Sequence, residues 1–170
     1  MESGAKRMES RNKKEVTPQK ALEMMAGLCA KSEQCPYDIM AKLRKYGLTA
    51  EDAGEVLNSL RELKFVDEAR YARSFARDKV RFSGWGRNKI RQQLMLKRIP
   101  AALITEALAA IEPADYKDAL IRAAKAKTKS LDLTEYGDRT KLLKHLMTRG
   151  FEAELSMKMV AALVKRMAKD

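Results

Sequence analysis

Ten cationic side chains stand between Arg70 and Arg98, and the same stretch holds one acid, Asp78. The ten are Arg70, Arg73, Arg77, Lys79, Arg81, Arg87, Lys89, Arg91, Lys97 and Arg98. Guanidinium and ammonium groups at this density attract phosphates and acidic protein grooves over about a Debye length, roughly 8 Å at physiological salt. The chemistry on offer is therefore the binding of a polyanion. A net charge of +12 over 170 residues points the same way. The candidate surface is Arg70, Arg73, Arg77, Arg81, Arg87, Lys89, Arg91, Lys97 and Arg98, and its plain rival is a solvated helix face that binds nothing.

Other chemistries find no support in the residue pattern. The chain has no Gly-x-x-x-x-Gly-Lys phosphate loop, no Gly-x-Ser-x-Gly and no histidine paired with a nucleophile. Cys29 and Cys35 lie six positions apart and the single histidine, His145, is far along the chain, a spacing that fits neither a zinc quartet nor a secreted disulfide scaffold. Free thiols in a reducing compartment are expected, with no metal and no cofactor. Glu51 and Asp52, like Asp67 and Glu68, are explained by helix N-termini before acid/base work is invoked. The expectation is action by occupancy, with no enzymatic step. No apolar run approaches the roughly 18 residues of a membrane span, so no membrane partner is expected, and the cytoplasm or nucleoid is the expected place.

The cations must be carried by helices, because no convincing strand-period segment occurs. At helical spacing Tyr71, Phe75 and Val80 turn inward while Arg70, Arg73, Arg77 and Arg81 line an outer face. That helix begins behind Asp67 and stops at Ser83 to Gly86, where two glycines flank the only tryptophan, Trp85. Upstream, Met1 to Glu15 reads as a mobile charged tail, and order begins at Thr17-Pro18, a cap followed by a first-turn proline. A second helix starts near Pro36 and ends at Gly47. A third opens on Thr49-Ala50-Glu51-Asp52, a capping-box pattern with aspartate as the reciprocal acceptor.

An internal repeat organises these elements. Ile39, Leu43, Leu48, Leu57 and Leu60 fall on Ile90, Leu94, Ile99, Leu108 and Ile111 at an offset of 51. They fall again on Leu142, Leu146, Phe151, Val160 and Leu163 at an offset of 103. The junctions Tyr46-Gly47-Leu48, Lys97-Arg98-Ile99 and Arg149-Gly150-Phe151 repeat with them. The expected fold is all-α: three tandem three-helix repeats in an elongated, curved array, each unit mainly touching the next. The expected divisions are a tail over 1–16 and repeats over 17–65, 66–112 and 113–170. The last repeat is expected to hold helices over Tyr116 to Lys129, about Arg139 to Thr148, and Ala153 to Met167, with a break from Lys129 to Gly137.

From Phe65 to Ala72 the chain reads Phe-Val-Asp-Glu-Ala-Arg-Tyr-Ala, followed by Gly84, Gly86, Arg87, Ile90 and Leu94 and, in the last unit, by Arg149-Gly150-Phe151. With these residues the chain resembles the RecX regulators of the bacterial RecA recombinase, over roughly Pro18 to Val164. The resemblance implies a monomer that lies in the groove of the RecA filament on single-stranded DNA, bridges protomers, and damps ATP hydrolysis, strand exchange and coprotease activity. Weak, sequence-independent DNA binding is implied with it, since phosphate contacts carry no sequence information.

Several residues keep two readings on sequence alone. Arg70 either belongs to the contact surface or pairs locally with Asp67 or Glu68. Trp85 either stacks on a base or partner, or closes a junction between units as core. Tyr71 and Phe75 read as core, as do methionines such as Met24, Met25, Met95 and Met159. Lys125, Lys127 and Lys129 either complement a helix dipole or touch DNA. The competing function is a free-standing DNA-binding protein in which the basic helices after Asp67 and Gly86 act as a helix-turn-helix.

Overall fold

A computed structural model describes residues 16–167. The expected tail lies outside these residues except for Val16, which packs against the first core. The element order is α1 (Pro18–Cys29), α2 (Pro36–Lys45), α3 (Ala50–Glu62), α4 (Glu68–Ser83), α5 (Arg87–Leu96), α6 (Ala101–Ala109), α7 (Pro113–Thr128), α8 (Tyr136–Thr148) and α9 (Ala153–Met167). The fold is the expected all-α array of three tandem three-helix repeats. In each triplet the third helix packs on the first and second: α3 on α1 and α2, α6 on α4 and α5, α9 on α8 and α7.

The helix ends follow from local chemistry. Thr49 caps α3 by accepting from the Asp52 amide at 3.1 Å, and its hydroxyl donates to Asp52 Oδ2 at 2.8 Å. Aspartate is one methylene shorter than the usual glutamate, so the carboxylate takes the cap's hydroxyl as its donor. Asp67 Oδ1 caps α4, accepting from the Arg70 amide at 2.8 Å. Asp67→Ala is expected to cost about 1 kcal/mol, read by urea unfolding with the slope unchanged.

The junctions repeat in backbone geometry as well as in sequence. Gly47, Arg98 and Gly150 all have positive φ, at 89°, 57° and 93°. Each closes the middle helix of its triplet and turns the chain toward an apolar anchor, Leu48, Ile99 or Phe151, all buried. Arg98 holds this left-handed conformation without glycine's freedom.

Four expectations are corrected. α7 starts at Pro113, three residues before Tyr116, because proline fits the first helical turn. α8 starts at Tyr136, ahead of Arg139, and takes Gly137 into its first turn, so the expected break is shorter. On α4 the innermost face is Tyr71, Ala72, Ala76 and Val80, with Phe75 only half-buried. The alanines let α6 and α7 approach closely, leaving no room there for the larger ring. Met95, expected in the core, is 62% exposed, while Met25 is fully buried as expected.

The core falls into two clusters. Ala21, Met25, Ile39, Leu43, Leu57, Leu60 and their neighbours form one cluster within the first triplet. The second and third triplets share a single cluster running from Tyr71 through Ile90, Leu94 and Ile104 to Leu142, Leu146 and Phe151. Cys35 belongs to this second cluster although its helix lies in the first triplet. In the third triplet Val160 and Leu163 are only partly buried, because no described element covers α9 from its other side.

Candidate polyanion-binding surface

The nine candidate cations divide by the partners they meet. Arg70, Arg73, Arg77 and Arg81 share a side of α4 by helical spacing, as expected. Arg70 Nε, however, reaches back to Glu33 Oε1 at 2.5 Å, and its Nη2 donates to the Lys64 and Phe65 carbonyls at 3.1 and 3.4 Å. Its side chain pairs with neither Asp67 nor Glu68, and the Glu33 pairing holds its guanidinium still more firmly protonated. Arg77 meets Asp78 at 3.2 Å on the surface, and Arg81 reaches Asp115 of α7 at 2.6 Å.

The cations from Arg87 onward divide further. Arg87 lies on the Tyr116 ring, 3.9 Å from its centroid, and pairs with Glu152 at 3.3 Å. Lys97 pairs with Asp38 at 2.6 Å, and Arg98 sits 5.5 Å from the Tyr37 ring. Five of the nine, Arg70, Arg77, Arg81, Arg87 and Lys97, are thus in ion pairs, and only that of Arg77 lies within one helix. These long-range pairs join triplets to one another. Arg73 and Arg91 are exposed and have no ion pair among the described residues.

Trp85 supports the core reading: it packs at the margin of the shared core. Its indole meets Phe75 edge-on at 6.4 Å and flanks the core. Lys79 and Lys89 lie over it at 4.8 and 4.6 Å, so one face is a cationic ledge. Lys79 is outside the candidate set, yet it completes this ledge. Its position opposite the arginine stripe, four residues after Phe75, is the sequence signal that could have placed it there.

The joint between the second and third triplets was not visible in sequence. The N-terminus of α5 meets the C-terminus of α8: the Gly86 and Asn88 amides donate to the Arg149 and Gly150 carbonyls at 2.8 and 3.0 Å. The Arg87 amide donates to Tyr116 Oη at 3.0 Å, and that hydroxyl donates to Glu152 at 2.6 Å. Helix-end groups that would otherwise lack partners satisfy each other across the joint. Arg149 completes it by donating to the carbonyls of Ser83 and Gly84 at the end of α4. At the first joint the repeat places Cys35 and Arg98 where Gly86 and Gly150 stand. No backbone hydrogen bond crosses it among the described residues. Glu33–Arg70, Asp38–Lys97 and Arg61–Glu68 bridge it instead. Burial raises the Cys35 thiol pKa and that of Cys29, and both thiols are free.

These features define a class: an all-α tandem-repeat protein whose inter-repeat joints consume much of its central charge. The second three-helix domain of RecX matches residues 67–108. The regulatory protein RecX of Prosthecochloris aestuarii is 31% identical over 135 residues, covering 79% of this chain and 87% of that protein. That of Vibrio parahaemolyticus is 31% identical over 115 residues, covering 68% and 73%. The chain belongs to the RecX family of regulatory proteins. A crystal structure of regulatory protein RecX superposes with a TM-score of 0.73 at 24% identity, covering 85% of this chain and 71% of that one. RecX from Lactobacillus salivarius gives 0.73 at 18% identity, covering 87% and 96%, and shares the fold. Among the described residues no helix is long and apolar enough to cross a membrane, and no cluster of metal-ligating side chains is present.

Proposed function

We propose that the chain binds the groove of a RecA filament assembled on single-stranded DNA and, by occupying it, inhibits ATP hydrolysis, strand exchange and coprotease activity. Membership of a family of regulatory proteins carries this reading, and the cations left over from the internal joints support it. Arg73, Arg77 and Arg91 form the contact set in this reading; Lys79, opposite the arginine stripe of α4, stands outside it. Arg70, Arg81, Arg87 and Lys97 chiefly hold the triplets in register, and Arg98 rests on Tyr37. The repeats span 17–65, 66–112 and 113–170, and the chain acts as a monomer alongside the recombinase in the cytoplasm and nucleoid. An array spanning several protomers gains affinity by linkage.

The free-standing helix-turn-helix reading is disfavoured by a particular contact. A recognition helix presents its N-terminal residues to base edges, whereas the first amides of α5 are bonded to Arg149, Gly150 and Tyr116. The test is the DNA-dependent ATPase of the recombinase. Inhibition is expected at less than one molecule of this protein per protomer. Inhibition that only tracks the coating of naked DNA, and vanishes with excess DNA, sinks the reading.

A further inference from the structure

A cleft of about 320 Å³ opens where the end of α4 meets α7 and α8, with Arg81 on its border. Arg81, Arg122, Lys127, His145 and Arg149 line it, together with Phe82 and small residues, and no carboxylate does. Two of the guanidiniums are already anchored: Arg122 Nη2 donates to the Arg81 carbonyl at 2.9 Å, and Arg149 Nε donates to that of Gly84 at 3.1 Å. A guanidinium has five N–H donors, so each keeps others for a ligand while its position is fixed. Phe82 at the rim is 84% exposed, the most exposed large hydrophobic side chain among the described residues. A cationic cleft beside an open aromatic face is the arrangement on which a nucleotide chain binds, phosphate against cations and base against ring.

We propose that this cleft holds a phosphodiester of single-stranded nucleic acid, with Arg122, Lys127 and Arg149 around the phosphate and an unpaired base stacked on Phe82. A duplex offers no free base face at such a rim, and an acidic protein surface would have to bring an apolar pocket for Phe82 as well as its carboxylates. The site stands apart from the filament-groove reading and does not depend on it.

His145 makes the site observable. Burial, then Arg149 at the C-cap of α8 and Lys127 of α7, hold its imidazole below the ordinary histidine pKa. Arg81 of α4 and Arg122 of α7 line the same cleft, and no charged group of α9 bears on the imidazole. The acids nearby are already engaged, Asp115 by Arg81 at 2.6 Å and Asp138 by Lys141 at 2.8 Å, with Lys127 also acting on Asp138. A phosphate entering this positive field favours protonated imidazole. By linkage, protonation favours the phosphate by the same factor.

His145 is the sole histidine of the chain, so its NMR titration is unambiguous. The experiment titrates the full chain alone, with an oligothymidylate of about ten nucleotides, with inorganic phosphate, and with polyglutamate, all at one ionic strength. The oligothymidylate is expected to raise the His145 pKa by about one unit, and so to bind about fivefold more tightly near pH 5.5 than near pH 7.5, about tenfold being the limit reached below both pKa values. His145→Gln is expected to remove that pH dependence. Phe82→Ser is expected to weaken binding by about tenfold, and Lys127→Gln to lower the salt slope by about 0.7. Circular dichroism is expected to show all three variants folded. An unmoved imidazole in the saturated complex overturns the proposal. So does a rise produced equally by inorganic phosphate and indifferent to Phe82→Ser, or a rise produced by polyglutamate alone. Recombinase inhibition is measured separately, so either reading can fail while the other stands.

Discussion

Gly86→Ala is expected to lower the melting temperature by about 10 °C, corresponding to a loss of about 3 kcal/mol or more. A Cβ at this position would lie 2.1 Å from the Gly150 carbonyl carbon and 2.2 Å from both the Gly150 oxygen and the Phe151 nitrogen. All three are backbone atoms, so no side-chain rotation relieves the clash. Separating the two segments of this joint would also stretch the Gly86 to Arg149 and Asn88 to Gly150 hydrogen bonds and uncouple the core shared by the second and third triplets. Trp85, the adjacent residue, reports the change by its fluorescence during thermal unfolding. Gly54→Ala is the internal control. A Cβ there meets nothing within 4 Å, in the middle of α3, so helix propensity governs and a gain of about 0.5–1 kcal/mol is expected. A Gly86→Ala variant as stable as the parent would show that the backbone joint does not hold the two triplets together.

That joint marks where sequence reasoning stops. Positions that must be apolar in every repeat are visible at a fixed offset, so Ile39, Ile90 and Leu142, and likewise Leu43, Leu94 and Leu146, align from the residue order alone, and all six are fully buried. Caps are equally local: Thr49 and Asp67 act within three residues of themselves. The charge pairings are not local. Glu33 meets Arg70 across 37 positions and Arg87 meets Glu152 across 65, and nothing in composition or period distinguishes those arginines from Arg73 or Arg91. An excess of cations in sequence therefore overstates the cationic surface, since the fold spends some of them on its own joints. The closeness of Gly86 to Gly150 is hidden for the same reason, although each glycine by itself reads as a helix boundary. The repeat also conceals a difference between the two joints: equal spacing places Cys35 and Arg98 where two glycines stand in the tighter one.

Separating binding cations from structural ones leads to the second large effect. Arg73→Glu combined with Arg91→Glu is expected to weaken inhibition of the recombinase ATPase by about a hundredfold, about tenfold for each lost and reversed contact, or ~1.4 kcal/mol apiece. Both side chains are exposed and neither has an ion pair among the described residues, so the melting temperature should stay within about 2 °C. Arg87→Glu is expected to behave in the opposite way. It removes the guanidinium from the Tyr116 ring and sets a carboxylate against Glu152, the acceptor of the tyrosine hydroxyl that in turn takes the α5 amide. A loss of about 2 kcal/mol in stability follows, because the two like charges are only partly solvated. A triple reversal of Arg77, Arg81 and Arg87 mixes the two effects and cannot assign either. If the Arg73 and Arg91 double variant inhibits as well as the parent while folding normally, the exposed arginines are not where the filament is touched, and that contact set fails.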